Sequence, residues 1–288
     1  MSCSDSCDGR PETGSPLELS CNRMEERRNI RLLISYDGTD FSGWQTQKPG
    51  RDKENTGRVS RTVQGVVESA LEKLHKKPVS LTGSGRTDSG VHAAGQVANF
   101  FTTIKSMEAS RFVPAINSLL PLDVRILEAA ETMPDFHSRF DAKSRTYRYY
   151  FITCREALPW ERRYAWHLRH LPDIALLNEF ARLFRGEMDC TAFAIPGDKS
   201  KSRHRFIFGA SFFMESGRLV FEITANAFLW KMVRSIAGTL IRFEEKGLGP
   251  DYLKEIIKCK DRRLTGPTAP PEGLFLWRVD YYRECGKE

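Results

Sequence analysis

The sequence predicts a mixed α/β fold with mainly antiparallel strands, on three observations. Ile30, Leu32, Ile34 and Tyr36 alternate with polar neighbours as in a half-buried strand, while Val63, Val66, Val67, Ala70, Leu71 and Leu74 recur at helical spacing. A second run of strand and helix signals follows after residue 144, so the chain reads as two similar halves. At 288 residues it is long enough to bury a sizeable core and fits one or two domains.

Each element is justified by its own pattern. After the 30–36 strand and the 63–74 helix, residues 79–81 lead as a strand into a glycine-rich turn. Then come a strand through Val97 and Phe101, a helix near 111–120 and a strand at 124–127. The second half begins with a strand at 145–152 and continues with a helix bearing Ile174, Leu177, Phe180, Ala181 and Phe184. Strands near 206–213 and 219–224 precede a helix carrying Phe228, Met232, Ile236 and Leu240. A short helix at 252–258 and a strand at 274–281 close the chain. The expected boundaries are a disordered tail at 1–27, halves at 28–140 and 141–283, and a short tail at 284–288. Residues 1–27 are polar, with no apolar h-region for secretion.

Composition points to a polyanion partner. Lys and Arg number 44 against 37 Asp and Glu, a net charge of +7 with a pI near 9.0. Between Arg139 and His170 eight basic residues stand against three acids, and Lys199, Lys201, Arg203, His204 and Arg205 form a second basic cluster. Tyr147, Tyr149 and Tyr150 interleave with Arg145 and Arg148, a mixture suited to stacking on bases and contacting phosphates, although charge runs are usually only solvated surface. No run of about eighteen apolar residues marks a membrane span. Seven cysteines lack paired metal-ligand spacing and read as free thiols of a reducing cytosol.

The segment from Thr82 to Ala98 carries the pattern closest to chemistry. Glycines at 83, 85, 90 and 95 surround Arg86 and Asp88. Such glycines let the backbone turn tightly and let a bulky substrate come close. An arginine near an aspartate favours the charged carboxylate, which serves as nucleophile or base. Other readings compete. The spacing puts Asp88 where a dinucleotide fingerprint needs its third glycine, which speaks against nucleotide binding. Asp88, Ser89 and His92 are the residue types of a hydrolase triad, but triad members come from separate segments and no G-x-S-x-G elbow is present. An Asp in a glycine-rich turn also often only caps a backbone amide.

Six blocks stand in order along the chain: Tyr36-Asp37-Gly38-Thr39-Asp40-Phe41-Ser42-Gly43-Trp44-Gln45, Gly85-Arg86-Thr87-Asp88-Ser89-Gly90-Val91-His92-Ala93, Phe136-His137-Ser138-Arg139-Phe140, Arg145-Thr146-Tyr147-Arg148-Tyr149, Asn226 to Arg234, and Glu272-Gly273-Leu274-Phe275-Leu276. Together they resemble the signature segments of the tRNA pseudouridine synthase A family. The resemblance runs from about residue 30 to about residue 282. Three departures stand out. The charged 48–58 segment is longer than the family's usual link, Ser89 replaces the usual alanine, and 200–205 matches the family poorly.

The resemblance implies two ferredoxin-like halves whose sheets join around a central catalytic cleft, and a cytoplasmic homodimer that binds tRNA. It implies conversion of uridine to pseudouridine at positions 38, 39 and 40 of the anticodon arm. That reaction oxidises and hydrolyses nothing, so no cofactor and no metal is expected. Asp88 is then the catalytic aspartate, paired with Arg234 from the second half. Tyr147 stacks on the target base or supplies a hydroxyl, and Arg86 contacts the flipped nucleotide or fills the gap it leaves. Leu274 or Leu276 forms an apolar wall, and Arg139, Lys143 and Arg145 contribute to an RNA track. Two further readings are a non-catalytic RNA-binding or chaperone module and an N-glycosidase in which water captures the sugar.

Overall fold

The computed structural model describes residues 27–46, 60–154 and 156–281. Except for Arg27, the expected tails and the 48–58 segment lie outside the described residues. The first half contributes β1 (Arg28–Tyr36), α1 (Val63–His75), β2 (Thr82–Gly83), β3 (His92–Thr102), α2 (Phe112–Asn117) and β4 (Val124–Thr132). The second contributes β5 (Ser144–Ile152), β6 (Trp166–His167), α3 (Ile174–Arg182), β7 (Gly186–Asp189), β8 (His204–Glu215) and β9 (Arg218–Ala225). It ends with α4 (Met232–Glu245), α5 (Pro250–Cys259) and β10 (Leu274–Asp280).

The ten strands among the described residues form one sheet in the order β4-β1-β3-β10-β5-β9-β8-β7, with β2 on β3 and β6 on β5. Both halves share a plan. β4-β1-β3-β2 and β10-β5-β9-β8 each show the fourth, first, third, second order of a ferredoxin-like βαββαβ unit. Pairing is antiparallel except between β5 and β6 and at the seam, where Phe275 and Leu276 of β10 lie parallel to His92 and Ala93 of β3. The seam therefore sets the start of β3, just beyond the glycine-rich loop, beside the last strand of the other half.

Burial follows the sequence periods. Ile30, Leu32 and Ile34 turn one face of β1 into the core, and Val63, Val67, Ala70 and Leu71 do the same for α1. The Thr62 side chain starts α1 by accepting the amide of Gly65. α4 is buried almost all round, including Ser235, Gly238 and Thr239. A Cβ on Gly238 would lie 2.0 Å from the Pro267 carbonyl, so only glycine lets the 266–269 segment cross this helix.

Several elements depart from their expected bounds. The expected 79–81 strand is only Thr82–Gly83, because the Leu81 amide donates to the Glu68 carboxylate at 2.9 Å instead of to a strand. The helix expected near 111–120 is the short α2, preceded by a 3₁₀ turn at Ala109–Arg111. Phe228 precedes α4 rather than lying on it, since Lys231 at φ 57° breaks the helical path. The short strands β6 and β7 have no counterpart in the sequence reading.

Candidate active site

The glycine-rich loop between β2 and β3 is fixed from both sides. The Ser84 amide donates to the Val97 carbonyl at 2.8 Å, its hydroxyl to Gln96 at 2.6 Å, and the Gln96 amide group back to the Gly85 carbonyl at 2.9 Å. The turn after β1 is its cradle. The Trp44 amide donates to the Thr87 carbonyl at 3.1 Å, the Tyr36 and Thr87 hydroxyls bond at 2.8 Å, and the Ser89 hydroxyl reaches the Phe41 carbonyl at 3.1 Å. Gly43 has φ +96°, and a Cβ there would sit 2.6 Å from the Thr87 carbonyl oxygen. The first sequence block thus supports the second.

Asp88 projects from this loop toward the start of α4. Its Oδ2 accepts from Arg234 Nη1 at 3.1 Å and its Oδ1 from the Trp230 indole Nε1 at 2.7 Å. The Asp88 and Arg234 side chains retain 19% and 11% exposure, so the pair is shielded yet reachable. Arg234 also donates through Nε to the Ala269 carbonyl at 2.8 Å, while the Ala269 amide donates to the Arg234 carbonyl at 3.0 Å. Gly238 allows that close approach.

Tyr147, on β5, stands close enough to Asp88 to feel its charge. It is 9% exposed and its ring meets Phe228 edge to face at 5.1 Å. Burial, reinforced by the charge of Asp88, pushes its phenol up to about 12, so it is a protonated donor at neutral pH. Among the described residues its hydroxyl makes no hydrogen bond. Leu276 lies directly across from Tyr147 in the β10–β5 register, and Leu274 lies across from Tyr149. Both leucines are buried.

Other sequence-singled residues fall elsewhere. Arg86 is exposed and makes no side-chain hydrogen bond or ion pair among the described residues, so the guanidinium on Asp88 is that of Arg234 and not of Arg86. Arg145 spends its guanidinium inside the chain. It donates to four backbone carbonyls, those of Ala142 and Ser84 at 3.1 Å and of Asn226 and Arg139 at 2.7 Å. It is a clamp between the loop, the link between the halves and the segment leading to Trp230. Arg148 faces the opposite side of the strand and pairs with Glu222 at 2.7 Å and Glu215 at 3.0 Å. Tyr149 is fully buried, with its hydroxyl on the Pro270 carbonyl at 2.7 Å. Of the Arg–Tyr stretch, Tyr147 alone is set beside Asp88.

The triad reading fails on geometry. His92 is buried, its Nδ1 accepts the Gly38 amide at 3.0 Å, and it stacks on Phe275 at 4.5 Å, while the Ser89 hydroxyl is spent on Phe41. Among the described residues, no three His, Cys, Asp or Glu are grouped to hold a metal ion, and no helix is long and apolar enough to cross a membrane. Among the described residues, Cys154, Cys190 and Cys259 form no disulfide. Sequence reasoning missed Trp230 and Asp198 as site residues. Trp230 stood inside a quoted block, but no residue pattern announces that its indole reaches 142 positions back to Asp88.

Comparison with known proteins places the chain in a family. A family model described as tRNA pseudouridine synthase matches residues 32–141 and 180–282. A tRNA pseudouridine synthase A from Treponema denticola is 54% identical over 266 residues, spanning 92% of this chain and 96% of that protein. Its counterpart in Treponema pallidum is 48% identical over 85% of each chain. One from Geobacillus kaustophilus is 40% identical over 90% of this chain and 96% of its own.

Proposed function

The chain belongs to the tRNA pseudouridine synthase family, isomerases of uridine in tRNA, and we propose that it acts in the anticodon arm at positions 38, 39 and 40 with Asp88 as nucleophile. The observation that carries this reading is the Asp88 carboxylate, held at the cleft by one donor on each oxygen. In the reaction the N1–C1′ bond breaks, the base turns, C5 joins C1′, the C5 proton is lost and N1 gains one. Attack at C1′, attack at C6 and deprotonation to a glycal all use a carboxylate at this place.

The surrounding residues take supporting parts. Arg234 is the countercharge that fixes the carboxylate's orientation. Tyr147 offers a ring face to a flipped base and a protonated hydroxyl to the charge that develops on the freed uracil. Leu274 or Leu276 forms the apolar wall beneath the base, and exposed Arg86 meets the nucleotide or the gap it leaves. The active species is a cytoplasmic homodimer. A binding module without chemistry would have no use for a shielded Asp–Arg pair beside an unpartnered phenol. The test of the site is carbodiimide-dependent primer extension on a tRNA transcript with uridines at 38, 39 and 40. Stops at those positions with the wild type and none with Asp88→Asn are expected, and stops confined to other positions would refute the assignment.

A further inference from the structure

Asp88 has two oxygens, and Arg234 holds only Oδ2; Oδ1 is held by the Trp230 indole at 2.7 Å. Trp230 is 48% exposed, so packing alone does not dictate where its one polar atom points. An indole N–H at such a position is satisfied equally well by water. Here it is aimed at the carboxylate by a built support. The backbone amide of Trp230 donates to Asp198 Oδ2 at 2.6 Å, and the other Asp198 oxygen accepts the Ser200 amide at 2.7 Å. The Asp198 side chain is only 2% exposed, with the Arg203 guanidinium 3.2 Å away. Burial raises its pKa, but the two amide donations outweigh that and hold it below the usual carboxylate range. Around the indole, the Lys231 ammonium stands 5.0 Å from the ring centroid, and a Cβ added at Gly197 would come within 3.6 Å of the ring's far edge. Lys231 spends a left-handed φ of 57° on the turn that places Trp230 four residues before Arg234, both reaching the same carboxylate.

We infer that Trp230 is a positioning residue for Asp88, its indole N–H fixing the carboxylate plane together with Arg234, and that buried Asp198 anchors Trp230 in that place. The inference rests on Asp88 being the acting carboxylate. A nucleophile held by one arginine through one oxygen still rotates about its Cβ–Cγ bond. A second donor from an independent segment removes that freedom before substrate arrives. The poorly matching 200–205 segment is tied to this support only through the Ser200 amide, which donates to Asp198.

The test is steady-state kinetics on tRNA transcript with wild type, Asp88→Asn, Trp230→Phe, Trp230→His and Asp198→Asn, alongside tRNA binding and thermal unfolding. Trp230→Phe keeps the ring and loses the donor. Its kcat is expected to fall about tenfold or more, the scale of one hydrogen bond to a charged group, with KM and tRNA affinity within about twofold of wild type. Trp230→His restores a ring N–H donor and is expected to recover part of that loss. Asp198→Asn is expected to lower kcat in the same direction. A Trp230→Phe enzyme with unchanged kcat, a loss confined to KM, or a His variant no better than Phe would overturn the inference. If wild type isomerises and Asp88→Asn does not, such a result defeats Trp230's role alone; an inactive wild type defeats the proposed function and this inference together.

Discussion

Replacing Arg145 with methionine separates a backbone clamp from an RNA contact. The side chain keeps its apolar stem and loses a guanidinium that donates to Ser84, Arg139, Ala142 and Asn226 carbonyls. Burial pushes this guanidinium's pKa below its ordinary value. The bonds to Ala142 and Ser84 are the two partly withdrawn from water. At about 1.5 kcal/mol for each hydrogen bond from a charged donor, those two alone make the loss about 3 kcal/mol. For a chain of this size that corresponds to a fall in Tm of about 5 °C. The assay is thermal unfolding together with tRNA binding across a salt series. A guanidinium spent on carbonyls neutralises no phosphate, so the slope of log K against log salt is expected to match wild type once binding is measured below the lowered Tm. Exposed Arg139 is the control, and Arg139→Ala is expected to reduce the slope by about 0.7–0.9. An Arg145→Met protein with unaltered Tm and a flattened salt slope would show that the guanidinium faces RNA, and would refute the clamp.

Three other perturbations follow from the geometry. Gly43→Ala puts a Cβ 2.6 Å from the Thr87 carbonyl at φ +96° and must push the Asp88 loop, so kcat is expected to drop about tenfold or more while tRNA affinity is retained; wild-type kcat would mean the loop yields at no cost to catalysis. Tyr147→Phe removes an unpartnered phenol and is expected to cost at least about tenfold in kcat as a lost donor to developing charge. Near-normal turnover would leave base stacking as the ring's sole contribution. Away from the site, Asp189 is held at about 2 although burial opposes it, because Lys260 at 2.8 Å and the Thr191 amide and hydroxyl outweigh the desolvation. A folded pKa below the unfolded 3.8 stabilises by about 2 kcal/mol above that value, and the contribution is lost as pH falls toward about 2. Asp189→Asn is therefore expected to lower Tm at pH 7 by an amount that shrinks below about pH 4; a pH-independent gap would contradict the assignment.

What was legible in the sequence had a period or a spacing. β1 and α1 came from alternation at 30–36 and helical recurrence at 63–74, and the sheet placed Ile30, Leu32, Val63 and Val67 in the core. The pairing of Asp88 with Arg234 was legible only through resemblance to a family, since they stand 146 positions apart. Residues whose role depends on backbone partners were not legible. Arg145 and Arg148 look alike in sequence, yet strand alternation sends one to carbonyls and the other to Glu215 and Glu222 on the opposite face. The apolar spacing 228, 232, 236, 240 continues through Phe228, but Lys231 at φ 57° ends the helix there, which no count of apolar residues records. Trp230 and Asp198 escaped for the same reason: Trp230 donates an indole N–H turned by a loop, and Asp198 accepts a backbone amide.

The central claim, that Asp88 drives isomerisation without releasing the base, is tested most directly by tritium release from a tRNA transcript labelled at C5 of uridine. Wild type, but not Asp88→Asn, is expected to release tritium with no free uracil, while both bind tRNA with similar affinity. Release by Asp88→Asn at a rate near wild type, or free uracil appearing with the tritium, would contradict it.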